Sequence, residues 1–165
     1  MKSKELDAID LQLLDSLQRD ASLSNVALAE KVRVSPPTCL RRVKRLVEGG
    51  WIERQIAVLS ADQIGSSLGH GLTALVEVSL DRQGHEHLDA FEARAVAHEA
   101  VQQCWRVSPG PDFMLVVQAR DMPHYLAISQ ALFTQDANVR NVKAFFATKR
   151  AKFGTQLILG GMAAD

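Results

Sequence analysis

Cysteine is scarce. The 165 residues hold two, Cys39 and Cys104, far apart and with no CxxC pair. That argues against a disulfide framework or a thiolate metal site and leaves two free buried thiols as the expectation. Long apolar runs are missing too, since none approaches the ~18 residues of a membrane span. The first residues, Met1 to Glu5, lead into an acidic amphipathic segment without an apolar signal core, so a cytoplasmic location is expected. There is no surplus of either charge: 19 basic and 19 acidic residues cancel. No nucleophile elbow, P-loop or dinucleotide fingerprint appears, nor any internal repeat or low-complexity stretch. His85 and His87 flank Glu86, but no third metal ligand is evident, so a solvated cluster is expected. His70, His98 and His124 stand alone. No catalytic residue, metal or cofactor is implied.

What is present is local. Within residues 31–54, Lys31, Arg33, Arg41, Arg42, Lys44, Arg45 and Arg54 face only Glu48 and Glu53, a local excess of five positive charges. Charge gathered this way is an electrostatic footprint for nucleic acid. The apolar fraction of 47% is ordinary and allows a packed core.

Periodicity predicts three short helices first. Asp7 is placed as an N-cap, with Ile9, Leu13 and Leu17 on one face. Ser24 caps the second helix, with Leu23 and Leu28 spaced for a hydrophobic staple. Lys31 to Val34 forms a tight connector. Ser35 caps a third helix, Ser35–Glu48, with Pro36 at its first position, and Gly49-Gly50 stops it. Helices joined by such a turn describe a helix-turn-helix over residues 1–59. Trp51–Leu59 reads as extended, and the glycine- and serine-rich 60–71 reads as a hinge. Strict alternation of Leu72, Ala74, Val76, Val78 and Leu80 gives a strand. A helix over 86–97, strands over 101–107 and 113–119, a helix capped by Asp121 with Tyr125, Ile128 and Leu132 inward, and a strand over 139–148 follow. That order is β-α-β-β-α-β. The fold class is α+β: a winged-type helix-turn-helix followed by a ferredoxin-like domain over 72–165. The tail Gly160–Asp165 reads as loosely held.

On the third helix, about 100° per residue puts Thr38, Arg41, Arg42 and Arg45 on one stripe. Leu40, Val43 and Val47 then point to the core. A helix of this kind fits the major groove, where arginine donates two bonds to guanine. Its N-terminal part approaches base edges. Ser35, Pro37, Thr38 and Arg41 are the candidates for base contact, Pro37 through a thymine methyl. Arg42, Lys44 and Arg45 are candidates for phosphate contact. Lys2 and Lys4 are solvated or add phosphate contacts. Trp51, Trp105, Phe145 and Phe146 read as packing or interface residues.

The chain resembles the Lrp/AsnC family of feast/famine regulators. The likeness is carried by Leu6-Asp7-Ala8-Ile9-Asp10, by Ser24 to Ala29, by the run from Val34 through Ser35-Pro36-Pro37-Thr38-Cys39-Leu40-Arg41-Arg42 to Leu46, and by Leu72 to Val78. It implies double-stranded DNA as partner, pseudo-palindromic and often A/T-rich sites, dimers that assemble into octamers, and an amino-acid effector. Two departures stand out. Arg33 occupies a turn position where the family usually has glycine, at a cost of about 1 kcal/mol if φ is positive; there it gains the option of a phosphate contact. Pro109-Gly110-Pro111-Asp112 replaces the family's Gly-Asp-Tyr-Asp effector loop, and Val142 and Ala144 replace small hydroxyl residues on the last strand. On the resemblance, Asp112 is the counter-charge for an effector's ammonium group and the amides around Gly110 and Pro111 are its anion site. A rigid two-proline turn without ligand is the other reading. Sirohaem decarboxylases share the two-domain plan but do not need the basic stripe. A ligand-independent architectural DNA-binding protein and a sensor that binds no DNA also remain open.

Overall fold

Asp7 and Asp10 begin the first helix by bonding each other's backbone. The Asp10 N–H donates to Asp7 Oδ1 at 2.9 Å and the Asp7 N–H to Asp10 Oδ2 at 3.1 Å, a reciprocal capping box. The computed structural model describes residues 5–69 and 71–159. The expectations for Lys2, Lys4, His70 and the tail Gly160–Asp165 lie outside them. α1 runs Ala8–Arg19, α2 Asn25–Lys31 and α3 Pro36–Glu48. Ser24 caps α2 through the Ala27 N–H, as expected. Leu13, Leu28, Ala29, Val32, Cys39 and Leu46 are buried together between these helices.

The described residues up to Val58 and from Lys152 form one unit, and Leu59–Ala151 form the other. The chain therefore leaves the helical unit and returns to it. In that returning stretch, Gln18 uses its side-chain amide as a strand would use its backbone. Its Nε2 donates to the Leu157 carbonyl at 3.1 Å, and the Leu157 N–H donates to its Oε1 at 2.9 Å. No regular element is assigned over residues 53–59 or 147–159. The segment expected as a hinge contains a helix, α4, Ala61–Leu68. Ser60 caps it, and Gly69 closes it at φ +66°. Gly65 lies within this helix and Gly69 marks its end, so the glycines do not make the segment a loop throughout.

In the second unit, β1 (Leu72–Leu80), α5 (His85–Ala97), β2 (Val101–Arg106), β3 (Phe113–Ala119), α6 (Met122–Ser129) and β4 (Val139–Phe146) follow in the expected order. A π-helical turn, Gln130–Thr134, extends α6. The sheet order is β2-β3-β1-β4, with each neighbouring pair antiparallel. One face is the core: Ala74, Val76, Val78 and Leu80 of β1 and Phe113, Leu115 and Val117 of β3 pack with Phe91, Ala95, Tyr125, Ile128 and Leu132. The alternate residues make the other face. There Leu75, Trp105 and Phe145 are exposed, and Met114 and Val116 are half-buried between them. A strand with alternating faces can bury only one of them within this unit.

Candidate nucleic-acid interface

The turn between α2 and α3 is fixed by hydrogen bonds. Arg33 has φ +55°, the one positive φ outside glycine among the described residues. Its N–H donates to the Glu30 carbonyl at 3.1 Å, and the Val34 N–H donates to Ala29 at 3.0 Å. These paired bonds satisfy carbonyls that the end of α2 leaves open. The position does need the left-handed region, so an arginine there carries a backbone cost of about 1 kcal/mol. The residue is exposed, two positions before the Ser35 N-cap of α3. Asn25 adds a stitch that periodicity does not reveal: its Nδ2 donates to the Pro36 carbonyl at 2.9 Å. Ser35 takes the N-cap backbone conformation, but its hydroxyl donates to Thr38 Oγ1 at 2.9 Å and accepts no backbone N–H. The expected side-chain cap is thus a hydroxyl pair at the mouth of the helix. At the other end, Gly50 at φ +74° lets its own N–H reach the Val47 carbonyl and the Trp51 N–H reach Leu46, closing α3.

The faces of α3 differ from the expected ones by one residue. Cys39 and Leu46 are buried and Val43 half-buried, whereas Leu40 is 60% and Val47 50% exposed. The inward face is therefore Cys39, Val43 and Leu46. The outward stripe is Pro37, Leu40, Arg41 and Lys44, at i, i+3, i+4 and i+7, and all four are exposed. The stripe predicted from charge, Thr38, Arg41, Arg42 and Arg45, lies about 100° away.

The reason is an ion-pair clamp to α1. Arg42 Nη1 donates to Asp7 Oδ2 at 2.7 Å and to Asp10 Oδ1 at 2.9 Å, and Arg45 pairs with Asp10 Oδ2. Asp10 has no exposed surface. Its burial pushes the carboxyl up, but the Arg45 hydrogen bond, the Asp7 N–H and Arg42 together hold it below the usual range. Asp7 is held low too, first by the Arg42 hydrogen bond. Arg42 in turn is raised by Asp7 and then Asp10. Arg42 and Arg45 are accordingly engaged with carboxylates, while Arg41 has no carboxylate partner among the described residues. Lys44 makes only an exposed pair with Glu48 at 3.7 Å. The clamp is visible in principle as acids three apart at the start of α1, the N-cap Asp7 and Asp10, and arginines three apart on α3, a matched spacing.

The loop expected to hold an effector is also braced. Leu80 N–H donates to Asp112 Oδ2 at 2.7 Å, and the Asp112 N–H donates to the Val78 carbonyl at 2.9 Å. Gly110 stands at φ +125°, which only glycine adopts freely, and Pro111 is half-buried. One carboxylate oxygen of Asp112 thus holds the loop to β1, and Oδ1 has no hydrogen-bond partner among the described residues. Among the described residues no group of three or more histidines, cysteines or acids is placed to hold a metal. His87 meets only Glu86, at 3.7 Å. Cys39 and Cys104 are both free, and burial pushes both thiols up. No described helix is long and apolar enough to cross a membrane.

Two family models match the chain. A winged helix-turn-helix DNA-binding model covers residues 6–53, and an Lrp/AsnC ligand-binding domain model covers residues 73–157. A leucine-responsive regulatory protein of Rhizobium meliloti is 37% identical over 93% of this chain and 96% of its own length. A leucine-responsive regulatory protein of Haemophilus influenzae is 32% identical over 96% of this chain and 93% of its own. Among solved structures, a transcriptional regulator of Neisseria meningitidis in complex with L-Met is similar at a TM-score of 0.82. Its identity is 29%, over 94% of this chain and 98% of that one. An AsnC family transcriptional regulator of Agrobacterium tumefaciens has a TM-score of 0.80 and 28% identity over 92% of this chain and 96% of its own.

Proposed function

Since this chain belongs to the Lrp/AsnC family of DNA-binding transcriptional regulators, we propose that it reads double-stranded DNA as a homodimer, with α3 in the major groove, under the control of an amino acid. It is a regulator and not an enzyme. The decarboxylase alternative lapses because the matched relatives are named transcriptional regulators.

The observation that carries the reading is the sorting of the basic residues of α3. Two arginines are engaged with α1, and that engagement fixes how the helix is presented. Arg41 and Lys44 stay exposed on its outward face, with Pro37 and the Ser35–Thr38 hydroxyl pair near its start. Residues near the start of a reading helix meet base edges, so Arg41 is assigned to guanine and Pro37 to a thymine methyl. Ser35 and Thr38 sit at the same end, as further base contacts. Lys44, further along, and Arg33, on the turn, are assigned to phosphates. Arg42 and Arg45 act through the clamp, as positioners of the helix rather than as contacts.

The effector reading is supported by the ligand-binding domain and by a similar structure solved with L-Met. Asp112 Oδ1 and the Gly110–Pro111 turn are the groups of this chain assigned to it. The dimer reading rests on the apolar open face of the sheet, and assembly of dimers into octamers is the larger form proposed.

Binding titrations on specific and random duplexes test the DNA reading. Arg41→Ala should cost about 1–3 kcal/mol on the specific site and relax its base preference. Lys44→Ala should weaken both duplexes alike and lower the slope of log K against log salt by about one. Equal losses on both duplexes for Arg41→Ala would overturn the base-contact assignment.

A further inference from the structure

Leu40 is out of place for a residue of its kind. It lies in the second turn of α3, yet 60% of its surface is exposed. Its helical neighbours at i−3, i+1 and i+4 are Pro37, Arg41 and Lys44, all exposed, so it belongs to the outward stripe and not to a seam of the core. The core side of α3 is already filled by Cys39 and Leu46. An isolated exposed leucine needs no explanation. This one is flanked along its own face by a free guanidinium and an ammonium group. That combination suits one occupant: the major groove, whose edges carry negative phosphates and whose floor carries the C5 methyl of every thymine.

We infer that Leu40 is a specificity-determining residue, which reads thymine by packing its side chain on the C5 methyl group next to the base that Arg41 contacts. The inference rests on the DNA-binding reading above and deepens it. Arg41 supplies directed hydrogen bonds for a guanine, and Leu40 supplies an apolar surface that favours a methyl and has nothing to offer the amino group of cytosine. Its place near the N-terminal half of α3 puts it at the end of the helix that meets bases. The clamp of Arg42 and Arg45 on Asp7 and Asp10 holds this face outward.

The test uses the full chain. A preferred site is first selected from a pool of random duplexes. Each thymine of that site is then replaced singly by deoxyuracil, which lacks only the methyl group. Wild type should lose about fourfold in affinity at one thymine per half-site, the worth of one buried methyl group. Leu40→Ala should bind the thymine duplex about fourfold more weakly and show no further loss with deoxyuracil at that position. Leu40→Met, which keeps an apolar side chain, should retain the sensitivity. Circular dichroism of the Leu40→Ala variant should match wild type, because the side chain is outside the core. If no preferred site emerges, both the DNA-binding reading and this inference fall. If a site emerges but every deoxyuracil substitution affects wild type and Leu40→Ala equally, the assignment of Leu40 alone is overturned.

Discussion

Asp10 has no exposed surface and accepts three hydrogen bonds, from the Asp7 N–H, Arg42 and Arg45. A buried carboxylate is tolerable only when so many donors replace its water. Both Asp7 and Asp10 sit below the ordinary 3.8 in the folded state. Their contribution is therefore complete above that value and is lost as pH falls below it, through the folded values. Asp10→Asn should lower stability at pH 7 by about 1–3 kcal/mol, the worth of hydrogen bonds to a charged group. The gap between wild type and variant should shrink at pH 3, because the unfolded wild-type chain then takes up a proton that the folded carboxylate resists, whereas the amide of the variant does not titrate. Urea midpoints at the two pH values measure this, and an unchanged gap would mean that the charge of Asp10 does not hold α3.

At the scale of elements, the loop between β2 and β3 shows how an acid can be half committed. Asp112 Oδ2 holds the Leu80 N–H, so Asp112→Ala removes a brace as well as a charge. Asp112→Asn keeps an acceptor and removes the charge. We expect one or more of the twenty amino acids to raise the melting temperature of wild type, and Asp112→Asn to abolish that rise while keeping its own melting temperature within a few degrees. A rise that survives in Asp112→Asn would place the effector elsewhere. The elements themselves were largely legible. Leu72–Leu80 and Phe113–Ala119 alternate because one sheet face is buried, and the structure ends both strands where the alternation ends. The caps Asp7, Ser24 and Asp121 were legible because each side chain has one local N–H to satisfy. The face of α3 was misread for a physical reason. Polarity alone points apolar residues inward and arginines outward, but Leu40 and Val47 are exposed and Arg42 and Arg45 turn to the start of α1. Leu40 sits on the face assigned to DNA, where function competes with burial, and the two arginines are drawn inward by the carboxylates at the start of α1. Helix α4 was hidden by Gly65, Gly69 and Gly71, whose composition resembles a connector.

For the whole molecule, the open sheet face is the surface assigned to the proposed homodimer. Leu75, Trp105 and Phe145 are exposed there, with Met114 and Val116 between them. A second copy that covers this face brings the same residues and closes a two-fold symmetric contact. Trp105→Glu places a charge on this face, at its β2 edge, without touching the core. Sedimentation velocity at micromolar concentration should show wild type as a dimer or a multiple of it and the variant shifted to monomer. Affinity for a two-half-site duplex should fall with it, because two reading helices about 34 Å apart are then no longer linked. A variant that sediments as wild type would remove this face from the assembly. The pair formed by Gln18 and Leu157 has a consequence of a different kind. The two residues are 139 positions apart in the chain. On the ribosome, α1 emerges early and waits for its last partner until the whole ferredoxin-like unit has been synthesised. The helical unit is thus begun before the ferredoxin-like unit and completed after it, and a nascent chain cut short between the two carries α3 without the segment that completes its unit.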